Sequence, residues 1–184
     1  MIQVYSEFFK SIFSGLPADQ YQDAYARILK ALFLPDIPCS CGHKGCLVSF
    51  GTYTRFVKFN SVKVMLTVKR VRCKECGRTH AILPSELVPY SQIGLRDQQN
   101  IISASCDNTN DHSSVMNSNN LIDESNVRHI IRQFRQYWLD RLVSMSMSVL
   151  DDLLISNCFK HYHLQFMQVH RTPNVLFISN INIA

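Results

Sequence analysis

Five of the seven cysteines fall within a stretch of 38 residues that runs from Cys39 to Cys76. Cys73 and Cys76, followed by Gly77, have the C-x2-C-G spacing of a metal-binding knuckle. In such a knuckle the chain turns back so that both sulfurs face one ion, and the glycine lets the turn close. Thiolates are typical ligands of zinc, which is tetrahedral and four-coordinate when its role is structural. We therefore expect this segment to bind a structural Zn²⁺ ion.

The other two ligands must come from a first group of candidates, which holds Cys39, Cys41, His43 and Cys46. Cys41 precedes a glycine, as Cys76 does, and it is the first choice. Cys39 is favoured as its partner, although the C-x-C spacing is one residue tighter than the usual knuckle. Cys46 is the alternative to Cys39, and His43 is an outside candidate. The predicted ligands are Cys39, Cys41, Cys73 and Cys76, and the competing interpretation is a set of thiols without metal.

An odd number of cysteines without a signal peptide argues against a disulfide framework. The first cation, Lys10, follows Glu7, and no long apolar segment comes after it. No apolar run reaches the ~18 residues of a membrane span. We therefore expect a cytoplasmic protein with reduced cysteines and no membrane contact, in which Cys106 and Cys158 pack in the core.

Positive charge is concentrated in the same part of the chain as the cysteines. Residues 39–80 hold nine Lys or Arg and one Glu, a net charge of +8, whereas the remaining residues sum to 10 minus 13, or −3. A local patch of this kind favours a polyanionic partner, and a solvated basic face is the alternative. The residues predicted to contact a phosphate backbone are Lys63, Lys69, Arg70, Arg72 and Arg78.

The elements that must position these residues are read from hydrophobic periodicity. Residues 47–72 alternate as two strands with a turn at Asn60-Ser61, so the knuckles would lie at the end of a small sheet, as in a zinc ribbon. Residues 1–34 have the spacing of two helices interrupted at Gly15 and Pro17, the second running from about 19 to 34.

The second half of the chain is predicted to be helical. The expected helices cover 95–106, 112–117 and 124 to about 147, the last capped by Asp123, and a further helix covers about 149–169. In the long helix, Arg128, Arg132 and Arg135 follow one face at i, i+4 and i+7. A short helix and a turn precede it, which is the outline of a helix-turn-helix, and a solvated arginine face is the alternative.

The predicted fold class is α+β, a small zinc-ribbon sheet followed by a mostly helical region and preceded by a helical pair. The predicted organisation is N-terminal helices at 1–37, a zinc ribbon at 38–82, a linker at 83–92, a helix-turn-helix-like region at 93–172 and a tail at 173–184.

The segment R-V-R-C-K-E-C-G-R-T-H-A-I-L-P-S, at 70–85, resembles the zinc-ribbon signature near the N-terminus of many bacterial insertion-sequence transposases. It is more similar still to short, uncharacterised bacterial proteins linked to mobile elements, which share the following V-P-Y-S, here 88–91. Segments 127–134 and 165–169 also look similar to theirs. The resemblance implies a DNA-binding zinc ribbon followed by a helix-turn-helix.

Transposases of this kind cut DNA with three acidic residues on a ribonuclease-H-like sheet, and this chain supplies no such module. Asp151 and Asp152 form an acidic pair without a third carboxylate at a suggestive distance, so a cap or surface role is favoured. No phosphate-binding glycine loop, H-E-x-x-H pair or nucleophile elbow occurs. We expect no enzymatic activity, and the remaining enzymatic alternative is a nuclease or transposase remnant.

The sequence thus predicts a zinc-stabilised, non-catalytic DNA-binding protein that acts in transposition or its regulation. The expected partner is DNA, with a transposase or a second copy of the chain as candidate protein partners. The alternative function is a zinc-ribbon module for protein–protein interaction.

Overall fold

The computed structural model describes residues 1–5, 16–59, 61–106, 112–169 and 176–178, the last as backbone. It has the mixed α+β content that the sequence predicts. Its described residues include a five-stranded sheet in the order β2-β3-β4-β1-β5. The strands are β1 (Ile2–Val4), β2 (Leu47–Phe59), β3 (Val62–Cys73), β4 (Thr79–Pro84) and β5 (Leu176–Ile178).

The predicted hairpin is confirmed in that β2 and β3 are neighbours in the sheet and Ser61 lies in a turn with a φ of 63°. Asn60, the other residue of the predicted turn, lies outside the described residues. Val64, Leu66 and Val68 are buried in alternation along β3, and the alternation then shifts by one residue to Val71. Such a shift is typical of a β-bulge. Strand β4 pairs antiparallel with β3, so that Val71 lies opposite His80.

The prediction of a helix at the very start of the chain is wrong for 2–4, because these residues form strand β1. Strand β1 is parallel to both neighbours, with Ile2 paired to Ile82 in β4 and to Leu176 in β5. Its three residues are all buried, as in a central strand covered on both faces. The rest of that predicted helix lies outside the described residues. Within the predicted tail, 176–178 is a strand.

The second predicted N-terminal helix is confirmed as α1 (Tyr21–Ala31). It buries Tyr21, Ala24, Tyr25 and Ile28, the i, i+3, i+4, i+7 face of an amphipathic helix. The hydroxyl of Tyr25 donates to the Ile82 carbonyl at 2.9 Å and accepts from the Lys69 backbone N–H at 3.0 Å. Tyr25 therefore attaches α1 to both β3 and β4.

The helices that follow are α2 (Leu95–Cys106), α3 (Ser113–Ser118), α4 (Glu124–Tyr137), α5 (Leu139–Ser144) and α6 (Leu154–Tyr162). The long helix predicted to reach about residue 147 instead breaks at Trp138, whose φ and ψ are −123° and −25°. Its buried indole N–H donates to the Gln168 carbonyl at 3.2 Å. The last predicted helix is shorter than expected, since His163 ends it in the left-handed conformation.

Cys158 is buried, as predicted, but Cys106 is exposed because it is the last residue of α2. The chain divides into two compact units. The first comprises Met1–Phe56, Met65–Glu86 and, from Thr172–Ala184, strand β5; the second comprises Val57–Val64 and Leu87–Arg171. One of the points at which the chain passes between the units, 86/87, lies within the predicted linker 83–92, where Leu83, Leu87 and Val88 are buried. None of the described helices has both the length and the apolar character needed to span a bilayer.

Candidate metal centre

Four sulfur atoms meet in the first unit, at the end of the sheet where β3 turns into β4. They belong to Cys39, Cys41, Cys73 and Cys76, and all lie within 4.8 Å of one another. The Cys39–Cys76 and Cys41–Cys73 sulfur pairs are 3.6 and 3.7 Å apart. In a tetrahedral zinc site with Zn–S bonds of about 2.3 Å, the sulfurs are about 3.8 Å apart. The donor set and its spacing therefore fit a zinc ion.

The structure brings together the four predicted ligands and places Cys39, not Cys46, in the cluster. The Cys46 thiol instead donates to the His43 carbonyl at 3.1 Å. The His43 imidazole lies at the surface, with its Nδ1 3.4 Å from the Cys41 sulfur, and it is not part of the cluster. With four thiolates around a four-coordinate ion, no position is open to a substrate, so such a site is structural.

The two loops that carry the cysteines are built alike despite their different spacing. Gly42 and Gly77 each follow the second cysteine of a pair, and their φ values are +92° and +73°, a region that glycine enters without strain. The Gly42 N–H donates to the Cys39 carbonyl at 2.8 Å, and the Gly77 N–H donates to the Cys73 carbonyl at 3.0 Å. A tight C-x-C pair therefore closes a turn comparable to that of the C-x2-C pair.

The environment divides the four thiols into two that ionise easily and two that do not. Burial raises the pKa of Cys39 and Cys73, but hydrogen bonds outweigh it and lower these pKa values to about 7 and about 6. Among these hydrogen bonds, those from backbone N–H groups lower the two pKa values most. One of them runs from the Cys76 N–H to the Cys73 sulfur at 3.4 Å.

The backbone N–H of His43 favours the thiolate of Cys41, and that of Arg78 favours the thiolate of Cys76. Burial and hydrogen bonds to neighbouring sulfurs nevertheless raise both pKa values, that of Cys76 to about 11. Only a bound cation would make all four groups thiolates together near neutral pH.

His80 contacts the cluster and was not identified from the sequence. Its Nε2 atom lies 3.4 Å from the Cys39 sulfur and its Nδ1 atom 3.1 Å from the amino group of Met1. Burial lowers the pKa of His80, which favours the neutral ring. A neutral imidazole protonated at Nε2 can donate to Cys39 while Nδ1 accepts from the amino group. The sequence does hold one indication of this contact, since His80 comes only four residues after Cys76, the last cysteine of the knuckle.

Two of the predicted phosphate-contacting cations of the first unit also make contacts within the protein. Arg72 and Arg70 place their guanidinium carbons 5.3 and 5.7 Å from the centre of the Phe50 ring, within cation–π range. Arg72 also donates from Nε to the Gly77 carbonyl at 3.1 Å, so it braces the second knuckle. Arg72 and Arg78 are exposed, whereas Lys69 and Arg70 are half-buried.

The second unit carries the other predicted contacts. Arg128, Arg132 and Arg135 are all exposed on α4, within an arc of about 60° at 100° per residue. The opposite side of α4 buries Val127, Ile130 and Phe134. The predicted cap is confirmed, since the Asn126 N–H donates to the Asp123 carboxylate at 2.8 Å. Lys63 is exposed on the hairpin.

Asp151 and Lys58 both make hydrogen bonds within the second unit. Asp151, one of the acidic pair, accepts from the Ser148 backbone N–H just before α6. Lys58 belongs to the basic segment but donates its ammonium to the Leu121 carbonyl at 2.7 Å and to the Asn126 side chain at 3.0 Å. A count of cations therefore overestimates the number that a ligand can reach.

A family model described as "Domain of unknown function (DUF6431)" matches residues 38–130, which is 93 of the 184 residues. The chain belongs to the DUF6431 family. The DUF6431 match contains all four clustered cysteines, the hairpin, α2, α3 and α4 as far as Ile130. It thus includes residues of both compact units. No curated protein and no solved structure matches the chain.

Proposed function

We propose that the protein is a zinc-stabilised DNA-binding protein without catalytic activity of its own. The observation that carries this proposal is the row of exposed arginines on α4, Arg128, Arg132 and Arg135. Helix α4 follows a short helix and a capped turn, and its opposite face is buried, which is the arrangement of a helix that enters a DNA groove. Arginine both pairs with phosphates and reads base edges.

Zinc in this proposal is a structural crosslink. Cys39 and Cys41 would hold it from the loop before β2, and Cys73 and Cys76 from the turn after β3. The ion would supply the positive charge that keeps all four thiols ionised, and it would join segments more than thirty residues apart. His80 would orient Cys39 by donating a hydrogen bond to its sulfur.

The proposed phosphate contacts come from both units. The first unit contributes Lys69, Arg70, Arg72 and Arg78, and the second contributes Lys63 in addition to the three α4 arginines. The similarity to transposase N-terminal regions supports a role in transposition or its regulation. On that basis the candidate protein partners are a transposase and a second copy of this chain.

The test measures binding of the zinc-loaded full chain to a labelled duplex by fluorescence anisotropy over a salt series. Replacing Arg128, Arg132 and Arg135 together by Gln should weaken binding and lower the slope of log K against log[salt] by about 2 to 3. The matched control is Arg27→Gln, which removes an exposed arginine from α1 and should change neither quantity. A triple variant with the wild-type slope would contradict the proposal.

A second candidate function is a protein-interaction module, and one observation favours it. Phe50 and Phe56 are each 42% exposed on β2, and Met65 is 59% exposed on β3. Apolar residues that are exposed together in one patch are typical of interaction surfaces, whereas single exposed ones are common on any protein. If the wild type binds no duplex even at low salt, this function becomes the better account. Replacing Phe56 and Met65 by Ser should then abolish association with the partner, with little dependence on salt.

A further inference from the structure

The tip of the β2–β3 hairpin, Val57–Val64, belongs to the same compact unit as the helices α2 to α6. Lys58 connects the hairpin tip to the helical segment through both its backbone and its side chain. Its N–H donates to the Gln92 carbonyl at 2.7 Å, just before α2. Its ammonium reaches the Leu121 carbonyl, in the turn before α4, and Asn126, in the first turn of α4.

Ser61 makes a second attachment to the same turn. Its hydroxyl donates to the Ser118 carbonyl at 3.3 Å and accepts from the Asn120 N–H at 3.0 Å. The turn between α3 and α4 is therefore bonded to the hairpin tip on both sides of Asn119.

Asn119 is 1% exposed and lies at the centre of this arrangement. Its amide donates to the Asp97 carboxylate of α2 at 3.0 Å and to the Lys58 carbonyl at 3.4 Å, while its oxygen accepts from the Leu121 N–H at 3.3 Å. The side of the tip that faces α2 is closely packed too, since a Cβ atom on Gly94 would lie 2.8 Å from the Phe59 ring. The hairpin tip and the helices thus share one hydrogen-bonded network.

We propose that the hairpin tip is a wing of the helix-turn-helix, in which Lys58 and Ser61 fix the turn and so orient the N-terminal end of α4. Lys58 is a positioning residue, because its ammonium is part-buried and already has two oxygen acceptors. Lys63, exposed on the same tip, is the residue that contacts the backbone of duplex DNA beside α4. The inference rests on the proposed DNA-binding function and gives it a second contacting element.

The test compares Lys58→Met with Lys63→Met in the zinc-loaded full chain. Both changes remove one lysine of the same hairpin tip. Binding to a labelled mixed-sequence duplex of about 30 base pairs is measured from about 50 to 300 mM KCl. Lys58→Met should weaken binding about tenfold at every salt concentration without changing the salt slope, because it loses orientation and no phosphate contact. Lys63→Met should lower the slope by about 0.9.

Two further measurements separate positioning from general destabilisation. Lys58→Arg keeps cationic donors near Leu121 and Asn126 and should restore most of the affinity. Hydrogen exchange at the amides of 120–126 should be faster in Lys58→Met and unchanged in Lys63→Met. If Lys58→Met does not fold, Ser61→Ala takes its place, since it removes two hydrogen bonds from the same turn and should weaken binding about threefold at constant slope.

Three outcomes would each overturn one claim: the positioning role of Lys58, the wing, or the proposed function. A Lys58→Met variant that lowers the salt slope as Lys63→Met does would make Lys58 a phosphate contact and overturn the positioning role. Wild-type affinity in Lys58→Met, or in Ser61→Ala where that variant replaces it, would overturn the wing while the proposed function stands. A wild type that binds no duplex would overturn the proposed function and the wing with it.

Discussion

The imidazole of His80 lies with its Nε2 atom 3.4 Å from the Cys39 sulfur, which places a buried side chain directly behind one of the four clustered thiols. The pairing of β4 with β3 sets this contact, because His80 lies opposite Val71, two residues before Cys73. Side chains that donate to metal ligands orient those ligands and tune their affinity. The four sulfurs are therefore positioned by the cysteine loops and, through His80, also by the sheet.

This contact predicts a graded loss of metal affinity at position 80. His80→Leu removes the donor at similar volume and should weaken zinc binding about 10- to 100-fold in competition with a chromophoric chelator. His80→Gln, whose amide can still donate, should lose less. The comparison variant is His43→Leu, which removes an exposed imidazole near Cys41 and should have the smaller effect. Equal affinities for His80→Leu and the wild type would contradict the role given to His80.

Zinc content should follow the geometry of the cluster. Mass spectrometry of the purified wild type should find about one zinc per chain. Cys39→Ser and Cys76→Ser should lose it, whereas Cys46→Ser should keep it, because that side chain donates to a carbonyl outside the cluster. Cys106→Ser, at an exposed position far along the chain, is the control. Retention by Cys39→Ser with loss by Cys46→Ser would reverse the ligand assignment.

The pKa values of the four thiols predict how many protons zinc displaces. At pH 7.5, Cys39 and Cys73 have pKa values of about 7 and 6 and are mostly ionised, whereas Cys41 and Cys76, with raised pKa values, keep their protons. Zinc binding should then release about two protons, rising towards four near pH 5.5, so affinity falls more steeply as the solution becomes acidic. Calorimetry in buffers of different ionisation enthalpy measures this number. A constant release of four protons at both pH values would contradict the assignment.

Trp138 should be the costliest residue to truncate in the second unit. It is fully buried, packs edge-on to Phe166 at 5.3 Å between ring centres, and lies 4.9 Å from the Arg141 guanidinium. Trp138→Ala should lower the free energy of unfolding by about 3 to 5 kcal/mol, measured by urea denaturation with circular dichroism. Tyr137→Ala, at the neighbouring exposed position, should cost about 0.5 kcal/mol. Similar values for the two variants would show that the Trp138 cluster contributes little.

The parts of the fold that depend on residues close together in sequence can be predicted from the sequence. The C-x2-C-G knuckle, the hairpin around Ser61, helix α2 and the Asp123 cap all follow from local spacing. Strand β1 could not be predicted in this way, because its three residues become a strand by pairing with β4 and β5 far along the chain. The spacing of residues 1–34 favours helices, and this local pattern carries no information about the long-range pairing that makes 2–4 a strand.

Tertiary contacts also decide which polar residues belong to the site. Composition places Lys58 and Lys63 in one basic segment, but only the folded structure shows that Lys58 is bonded to the turn before α4. His80 is likewise an ordinary polar residue until β4 pairs with β3. At the break, the Trp138 indole donates to the carbonyl of Gln168, a contact with a residue thirty positions later that local spacing does not predict.

The position of β1 also sets an order of events during synthesis. Ile2 pairs with Ile82 and with Leu176, which lies 176 minus 2, or 174, positions further along the chain. At about 5 to 20 residues per second, the ribosome needs roughly 10 to 35 s to make the chain between Ile2 and Leu176. All four clustered cysteines leave the ribosome well before then. The cysteine loops can therefore come together in a nascent chain whose sheet still has an open edge at β1, and that edge stays exposed to aggregation until β5 has been made.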